Sequence, residues 1–568
     1  MNILGIHIGH DSSAALLVNG QIVADVAEER FSRVKHFGGL PFRSVEYCLQ
    51  AAGLTSNEID VVTVSSTYVF PELSNLFDIS PGTAELALDR YGHGSPLDRQ
   101  AAIEGLTKPP LYVSRLPLDP GRVKVIHVEH HLAHAASAYY TSGSTDRQLV
   151  VTADGMGDNM PLAIWQGENG RLTLLKEFPP SASLGWFYSN VTEALGWWHG
   201  DGEGSTMGLA PYGDPVRAVE ALAPFGPRFA DGELVEGHDF GKVYAWNETG
   251  AGHWHLEDAV RIRSLVERFG REDIAAAAQS ILEQEMARVI LPWMDRTGNT
   301  RLSCAGGLFL NVKLNQRLWS TGRLAAQHIF PNPGDAGLAL GAALYVHHRV
   351  NADAPIQALP HLYWGPAYSD EQIAKVLAER KLTATFESDI AATVAGLLAK
   401  DKIVGWFQGR MEAGPRALGG RSILMSPMRA ENKDIINARV KFREAFRPFC
   451  PSILAEDAPS YLDKYRHEAF MITSFDVAAD KRHLLPAVVH ADGTLRPQCV
   501  EASVNPLYWR LISEFKRLTG VPALLNTSLN IKGEPMICAP REAIRCFFDS
   551  GMDYLALGSY LIAKPDGG

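Results

Sequence analysis

His130-His131-Leu132-Ala133-His134 sets two imidazoles four residues apart, and the apolar run Leu149 to Ala153 soon delivers Asp154-Gly155-Met156-Gly157-Asp158. Helical residues four apart share a face, so His130 and His134 direct two ring nitrogens at one point while Asp154 adds an oxygen. Far downstream, Pro331-Asn332-Pro333-Gly334-Asp335-Ala336-Gly337 places a further carboxylate, Asp335, at a predicted helix start. Two histidines and two aspartates suit a divalent transition metal such as iron, manganese or zinc, with positions left open for a ligand. A paired-histidine spacing by itself equally describes a packed, hydrogen-bonded helix start. The small residues Ala133, Ala135, Ala136 and Ala138 predict close packing around the pair.

A different chemistry is written toward the C-terminus. A predicted strand, Val404 to Gln408, leads into Gly409-Arg410-Met411-Glu412-Ala413-Gly414-Pro415-Arg416 and on to Arg421-Ser422. Lys441-Phe442-Arg443-Glu444-Ala445-Phe446-Arg447-Pro448-Phe449 follows, then a strand Val521 to Leu525 ending in Asn526-Thr527-Ser528-Leu529-Asn530. Arginine binds phosphate through its planar fork and lysine as a point charge, so Arg410, Arg416, Arg421, Lys441, Arg443 and Arg447, beside hydroxyl and amide groups, describe a small-anion pocket. Such clustering stands out in a chain with 53 basic and 64 acidic residues.

These groups need a scaffold. Ile3 to Ile8 reads as a buried strand, Gly9-His10-Asp11-Ser12-Ser13 as a polar turn, and Ala14 to Val18, Asn19-Gly20 and Gln21 to Ala27 as a hairpin. Three consecutive strands with a polar loop after the first are similar to the actin, sugar-kinase and Hsp70-like ATPases, where such loops approach phosphate through backbone N–H groups. The turn carrying Asp11 is one candidate loop, and the segment carrying Gly155 and Asp158 is its second-half counterpart. Leu302 to Asn311, through Gly306-Gly307, either holds nucleotide at a helix start or forms a tight strand-to-helix packing turn. The charged run Glu28 to His36 reads as a solvated edge. Trp197-Trp198-His199-Gly200-Asp201-Gly202-Glu203 suits either a polyhydroxylated acceptor or an aromatic packing corner. The stretch Asp214 to Ile262, rich in His, Trp, Asp and Glu, is a candidate for acceptor recognition, its acidic residues suiting an aminosugar or a solvated insertion.

At 568 residues the chain exceeds one core, and the linker-like Asn351 to Pro360 predicts two domains, 1–352 and 353–568. Apolar content of 46% and charged content of 21% predict a folded chain without low-complexity or repeated segments. A net charge of -11 argues against nucleic acid or an anionic membrane as partner. Six cysteines (Cys48, Cys304, Cys450, Cys499, Cys538, Cys546) without a CxxC pair predict neither a zinc ribbon nor a disulfide framework. With no basic leader and no long apolar span, a cytoplasmic protein is expected.

Taken together, His10 to Leu16, Glu28 to His36, His130 to Ala138, Met207-Gly208-Leu209-Ala210-Pro211-Tyr212-Gly213, Gly405 to Ser422, Phe446-Arg447-Pro448-Phe449 and Asn526 to Asn530 resemble the O-carbamoyltransferases. That family includes nodulation enzymes and those tailoring aminoglycoside, ansamycin and cephalosporin antibiotics. The resemblance implies an α/β protein: an N-terminal actin-like (ASKHA) ATPase domain joined to a C-terminal domain like threonylcarbamoyl-adenylate synthase (YrdC-like).

It further implies that carbamoyl phosphate and ATP, with magnesium, give carbamoyl adenylate at Arg416, Lys441, Arg447 and Ser528, with Asn526 and Asn530 alongside. A metal held by His130, His134, Asp154 and Asp335, iron(II) being favoured, then binds the adenylate phosphate while a small-molecule hydroxyl takes the carbamoyl group. The acceptor expected is an antibiotic or a sugar-containing natural product. His10 is expected near the hydroxyl as base or hydrogen-bond partner, Lys35 as stabiliser of developing charge, and Gly307 and Asn311 with Asp11, Gly155 and Asp158 as nucleotide contacts. Gly202 to Thr206 departs from relatives that carry a lysine there, which bears on the acceptor. A homodimer is suggested by analogy. An actin-fold small-molecule kinase and a regulatory ATPase are the competing readings.

Overall fold

The computed structural model describes residues 1–67, 84–85, 123–246 and 252–564. The chain forms two compact units, one of Met1–Ile59 together with Leu359–Gly568, the other of Asp60–Ala358. The sequence places one break at 352/353; the contacts place one at 358/359 and a further one at 59/60.

Strands β1 (Asn2–His7), β2 (Ser13–Val18) and β3 (Gln21–Ala27) form an antiparallel meander, with helix α1 (Phe42–Ala52) packed on it. Asn19 and Gly20 turn the hairpin with positive φ values of 51° and 82°, the backbone conformation that Asn-Gly favours.

The second unit begins with β4 (Val61–Val64), which pairs in parallel with β5 (Lys124–His127). Helix α2 (His130–Tyr140) follows, then a meander of β6 (Gln148–Gly157), β7 (Met160–Glu168) and β8 (Arg171–Glu177). Helices α3 (Leu184–Ala194) and α4 (Arg271–Thr297) lead to β9 (Arg301–Ala305), α5 (Val312–Ser320), β10 (Ala326–Ile329) and α6 (Leu338–Val350). The sheet order is β8-β7-β6-β9-β10, with β9 parallel to both neighbours. This sheet is therefore an antiparallel meander extended by two parallel strands.

The remainder of the first unit adds a sheet in the order β11-β18-β17-β12-β13-β16-β14-β15. Its strands are β11 (Thr385–Phe386), β12 (Val404–Phe407), β13 (Arg421–Met425), β14 (Cys450–Leu454), β15 (Gln498–Val500), β16 (Ala523–Ser528), β17 (Tyr554–Leu557) and β18 (Tyr560–Ala563). Both units are mixed α/β.

The expected solvated edge at Glu28–His36 is corrected by the structure. Glu28 is 3% and Arg30 7% exposed. The Glu28 carboxylate accepts the Ser44 hydroxyl and backbone N–H at 2.8 Å each. Arg30 donates to the Gly414 carbonyl at 3.0 Å, and Arg33 to those of Pro535 and Met536 at 2.7 Å. Phe31 packs on Met411, Ala417, Met536 and Cys538. The charges lie inside because Ser44 donors satisfy the Glu28 carboxylate and distant carbonyls satisfy the two arginines, which removes most of the cost of burying them.

Candidate metal centre and anion pocket

Helix α2 begins at the histidine pair. Glu129 caps it, its carboxylate accepting the N–H groups of His131 at 3.0 Å and Leu132 at 2.7 Å. Asp158 adds a second anchor, accepting the His130 N–H at 3.0 Å, the Ser66 hydroxyl at 2.7 Å and the Thr67 N–H at 2.8 Å. Its carboxylate therefore fastens the start of α2 to the loop after β4.

One ligand atom each from His130, His134, Asp154 and Asp335 lie within 4.8 Å of one another. His130 Nε2 is 2.8 Å from Asp154 Oδ2 and 3.8 Å from Asp335 Oδ1; His134 Nε2 is 3.5 Å and 3.7 Å from the same atoms. Metal bonds of ~2.0–2.1 Å give ligand-to-ligand edges of roughly 3.0–3.4 Å, so small adjustments close this set on one ion. The donor chemistry also fits: His134 Nε2 and Asp154 Oδ1 are buried without a hydrogen-bond partner, the condition a cation relieves. His130, His134 and Asp154 are almost fully buried, whereas Asp335 is part exposed, so the centre opens on that side.

Packing explains the placement. Asp335 opens a single 3-10 turn, Asp335–Gly337, before α6. A Cβ on Gly341 of α6 would meet the Ala133 carbonyl oxygen at 2.1 Å, so the two helices touch backbone to backbone. A Cβ on Gly157 would meet the His130 ring at 2.1 Å. His131 lies behind: its Nε2–H donates to the Met160 carbonyl at 2.6 Å, and its Nδ1 lies 2.9 Å from the Thr152 hydroxyl. Burial opposes charge on His130, but Asp335 and Asp154 outweigh it and lift its pKa to about 10. Asp154, despite its burial, is held well below the usual carboxylate range by His131 and His130. A metal would replace the shared proton.

In the other unit, residues Asn437–Lys441 form a single π-helical turn, and Phe442 follows at φ 48°. This bulge presents Lys441 to the end of β16. Its ammonium donates to the carbonyls of Ser528 at 2.5 Å and Asn530 at 3.0 Å, and to Asn530 Oδ1 at 2.7 Å. The Ser528 hydroxyl donates to Asn530 Oδ1 at 2.7 Å.

Burial, with Arg443 and Lys35 nearby, pushes the Lys441 pKa down to about 7. Burial and Arg496 lower Arg416 to about 9, and burial with Arg447 and Arg496 lowers Arg443 to about 10. The Arg416 Nε is buried without a hydrogen-bond partner. Arg447 pairs with Glu444 at 3.0 Å, and Asn437 Oδ1 fixes Arg443 Nε at 2.8 Å. Cations that repel one another inside a fold are stabilised by a bound anion.

Family comparison settles the class. Residues 2–77 and 110–344 match the family model described as the carbamoyltransferase N-terminus, and residues 395–564 match that of the carbamoyltransferase C-terminus. The chain belongs to the carbamoyltransferase family. Nodulation protein NolNO of Sinorhizobium fredii is 37% identical over 98% of this chain and 79% of its own length. Nodulation protein NolO of Bradyrhizobium diazoefficiens is 38% identical over 77% of this chain and 79% of its own. Among solved structures, T. kodakarensis HypF superposes at a TM-score of 0.31 and 13% identity, covering 62% of this chain and 48% of that one.

The carbamoyltransferase uses several of its remaining signature residues to build the fold. Arg421 is fully buried over the Phe407 ring at 3.7 Å and donates to the carbonyls of Gln408, Gly409, Gly420 and Pro366. Arg410 likewise serves Val23, Trp364 and Gly365. Arg421 Nη1 and Nη2 and Arg410 Nε and Nη2 are taken up by carbonyls of the fold, so these two arginines hold backbone where clustering in the sequence suggested an anion pocket. Arg496, absent from the sequence reading, does belong. It holds Cys450 Sγ at 2.8–2.9 Å and faces Arg416 and Arg443, and as a lone arginine before Pro497 it carries no spacing signal.

Asn526 is buried, its amide donating to the Ala417 carbonyl at 3.0 Å and Ser452 Oγ at 2.9 Å. Asn311 caps α5 and exchanges two amide bonds with Gln279, at 2.9 and 3.0 Å, while Gly307 leaves open space beside it. A Cβ on Gly155 would stand in ordinary contact with Trp186, at 3.6 Å. Asp11 lies between His10 and His36 in the turn after β1. Trp198 is 53% exposed and stacked on His199, and Arg271 lies over Trp197 at 4.5 Å. Of Asp214–Ile262, residues 247–251 lie outside the described residues. Among the described residues no helix is long and apolar enough to cross a membrane.

Proposed function

We propose that this carbamoyltransferase is an ATP-dependent O-carbamoyltransferase that works through carbamoyl adenylate. The observation carrying this is the run of like charges formed by the part-buried Arg416, Arg496, Arg443 and Arg447 with the buried Lys441, which a phosphate-bearing substrate stabilises. Carbamoyl phosphate, ATP and one water give carbamoyl adenylate, pyrophosphate and phosphate. Arg416, Arg447 and Arg496 bind phosphate oxygens, Lys441 orients with Ser528 and Asn530, and Asn526 supports that loop. Adenylation is needed because carbamoyl nitrogen donates into its carbonyl, so the group reacts only with a good leaving group and charge stabilisation.

Transfer breaks the carbamoyl C–O bond to AMP and forms one to an acceptor hydroxyl, whose proton goes to His10, with Lys35 countering the developing negative charge. His130, His134, Asp154 and Asp335 would hold the divalent metal, iron(II) in this reading, which supplies Lewis-acid stabilisation of the phosphate side. Asp158 acts by anchoring His130. Gly155, Gly307 and Asn311, with Asp11 and Asp158, border nucleotide in an actin-like domain. ATP enters with magnesium. The acceptor is a small hydroxyl compound, an antibiotic or sugar-containing natural product, and the protein is cytoplasmic and homodimeric. The domain division 1–352 and 353–568, actin-like and YrdC-like, belongs to the same proposal.

Incubation with carbamoyl phosphate, ATP, magnesium and iron(II), without acceptor, tests this by mass spectrometry and a pyrophosphate assay. Carbamoyl adenylate is expected from the wild type and His130→Ala and absent from Lys441→Ala. ADP with phosphate alone refutes the proposal in favour of a kinase-like ATPase.

A further inference from the structure

The turn after β1 and the loop Arg33–Gly39 are zipped together: the Gly39 N–H donates to the Gly9 carbonyl at 3.2 Å, and the Ser12 N–H to that of Phe37 at 3.0 Å. Gly9 and Gly39 adopt φ values of 137° and 132°, which side chains resist. Between them, two residues that do carry side chains are also held left-handed: Asp11 at φ 59° and His36 at φ 54°. Backbone held in such regions clusters at functional positions, where surrounding contacts over-determine it. Those contacts are present: His7 Nε2 bonds the His10 carbonyl at 3.0 Å, and Glu29 accepts the His36 N–H at 3.0 Å.

What the strain achieves is a shared carboxylate. Asp11 Oδ2 lies 2.9 Å from His10 Nδ1, and Asp11 Oδ1 lies 2.7 Å from His36 Nδ1. The two imidazoles stack at 5.1 Å between centroids, 13° from parallel. Burial works the other way, yet the bonds and charge of the two rings hold the Asp11 carboxyl well below the usual carboxylate range. An ionised carboxylate only accepts hydrogen bonds, so both Nδ1 atoms carry hydrogen. In its neutral form His10 then has its lone pair on Nε2.

We infer that Asp11 and His36 are positioning residues for His10: the carboxylate, pinned at its second oxygen by His36, fixes the His10 ring and its Nδ1–H tautomer so that proton exchange occurs at Nε2. This rests on the reading of His10 as the group that takes the acceptor's proton. His36 matters because a carboxylate held at one oxygen can rotate, whereas one held at both has a fixed plane. The same logic orients catalytic imidazoles elsewhere through a carboxylate on the far nitrogen.

The test is nitrogen-15 NMR of the histidine-labelled full chain, combined with steady-state turnover of ATP and carbamoyl phosphate to AMP with glucosamine as the probe hydroxyl donor. The wild type is expected to show neutral His10 as the Nδ1–H tautomer. In Asp11→Asn the amide accepts from one ring and donates to the other, so the tautomer signature of His10 or His36 must invert. Its kcat is expected to fall about 100-fold with KM for ATP unchanged, the scale of a misplaced general base. His36→Ala keeps the Asp11 pair and serves if Asp11→Asn misfolds; a roughly tenfold loss in kcat is expected, a small part of that base's effect. An Nε2–H tautomer in the wild type, or kcat within about twofold in both variants, overturns the inference, given the 10²–10⁴ scale of such catalysis. An Nδ1–H tautomer with unchanged turnover in His10→Ala instead refutes the assignment of His10 as base and leaves the clamp standing.

Discussion

Gly157→Ala should abolish metal binding while leaving the fold intact. Gly157 lies outside the left-handed region, so alanine meets no backbone penalty there. The added Cβ would sit 2.1 Å from His130 Cδ2, 2.2 Å from Cγ and 2.3 Å from Nε2, where ordinary contact begins near 3.4 Å. The ring must therefore retreat by 3.4 minus 2.1, or 1.3 Å. Metal–ligand distances tolerate about 0.2 Å, so His130 leaves the coordination sphere. Outer-shell changes alone cost about 10–100-fold in metal affinity, so losing a direct ligand should cost at least ~100-fold, or ~2.7 kcal/mol. Cobalt(II) titration by calorimetry and d–d absorption reads the affinity, and circular dichroism checks the fold. Gly155→Ala is the control, because its Cβ would stand 3.6 Å from Trp186. Gly157→Ala binding cobalt within about threefold of the wild type would refute a centre built on His130, since ligand loss requires far more.

Three further outcomes follow from charges inside the fold. Asp25 is buried with both oxygens lacking hydrogen-bond partners, and burial raises its pKa from 3.8 to about 8. The folded state therefore keeps a proton that the unfolded chain releases, so stability is fully present below pH 3.8 and is lost progressively up to about pH 8. At ~1.4 kcal/mol per unit the ceiling is about 6 kcal/mol. Asp25→Asn should leave the urea midpoint unchanged near pH 4 and raise it by several kcal/mol equivalents at pH 8; a pH-independent difference counts against this. With Lys441 at about 7, a bound anion should draw a proton onto it, so binding of sulfate, which has no titrating proton near neutrality, takes up about half a proton at pH 7, and Lys441→Met takes up none. Calorimetry in buffers of different ionisation enthalpy measures this. Arg496→Ala should weaken carbamoyl phosphate binding about tenfold or more at unchanged melting temperature, whereas Arg410→Ala should lower the melting temperature, because its bonds go to carbonyls of the fold.

Spacing along the chain determined what is local. The i, i+4 histidines must share a helix face, Asn19-Gly20 must turn a hairpin, and the apolar runs that became β1, β6, β12 and β16 could only be strands of buried sheets. The signature strings carried the resemblance to the carbamoyltransferases, and that resemblance implied the α/β class. Tertiary structure decided which like charges serve which purpose. Arg410, Arg421 and Arg447 look alike in sequence, but carbonyls that converge only on folding take up the first two. The buried roles of Glu28 and Arg30 depend on Ser44 and Gly414, one of them nearly four hundred residues away. Lys441 reaches Ser528 through a π-helical turn, and Asp11 meets His36 through paired left-handed residues. The left-handed state of His36 and the π-helical turn before Phe442 depend on what surrounds them, because isolated chains avoid them and their residue types carry no signal for them.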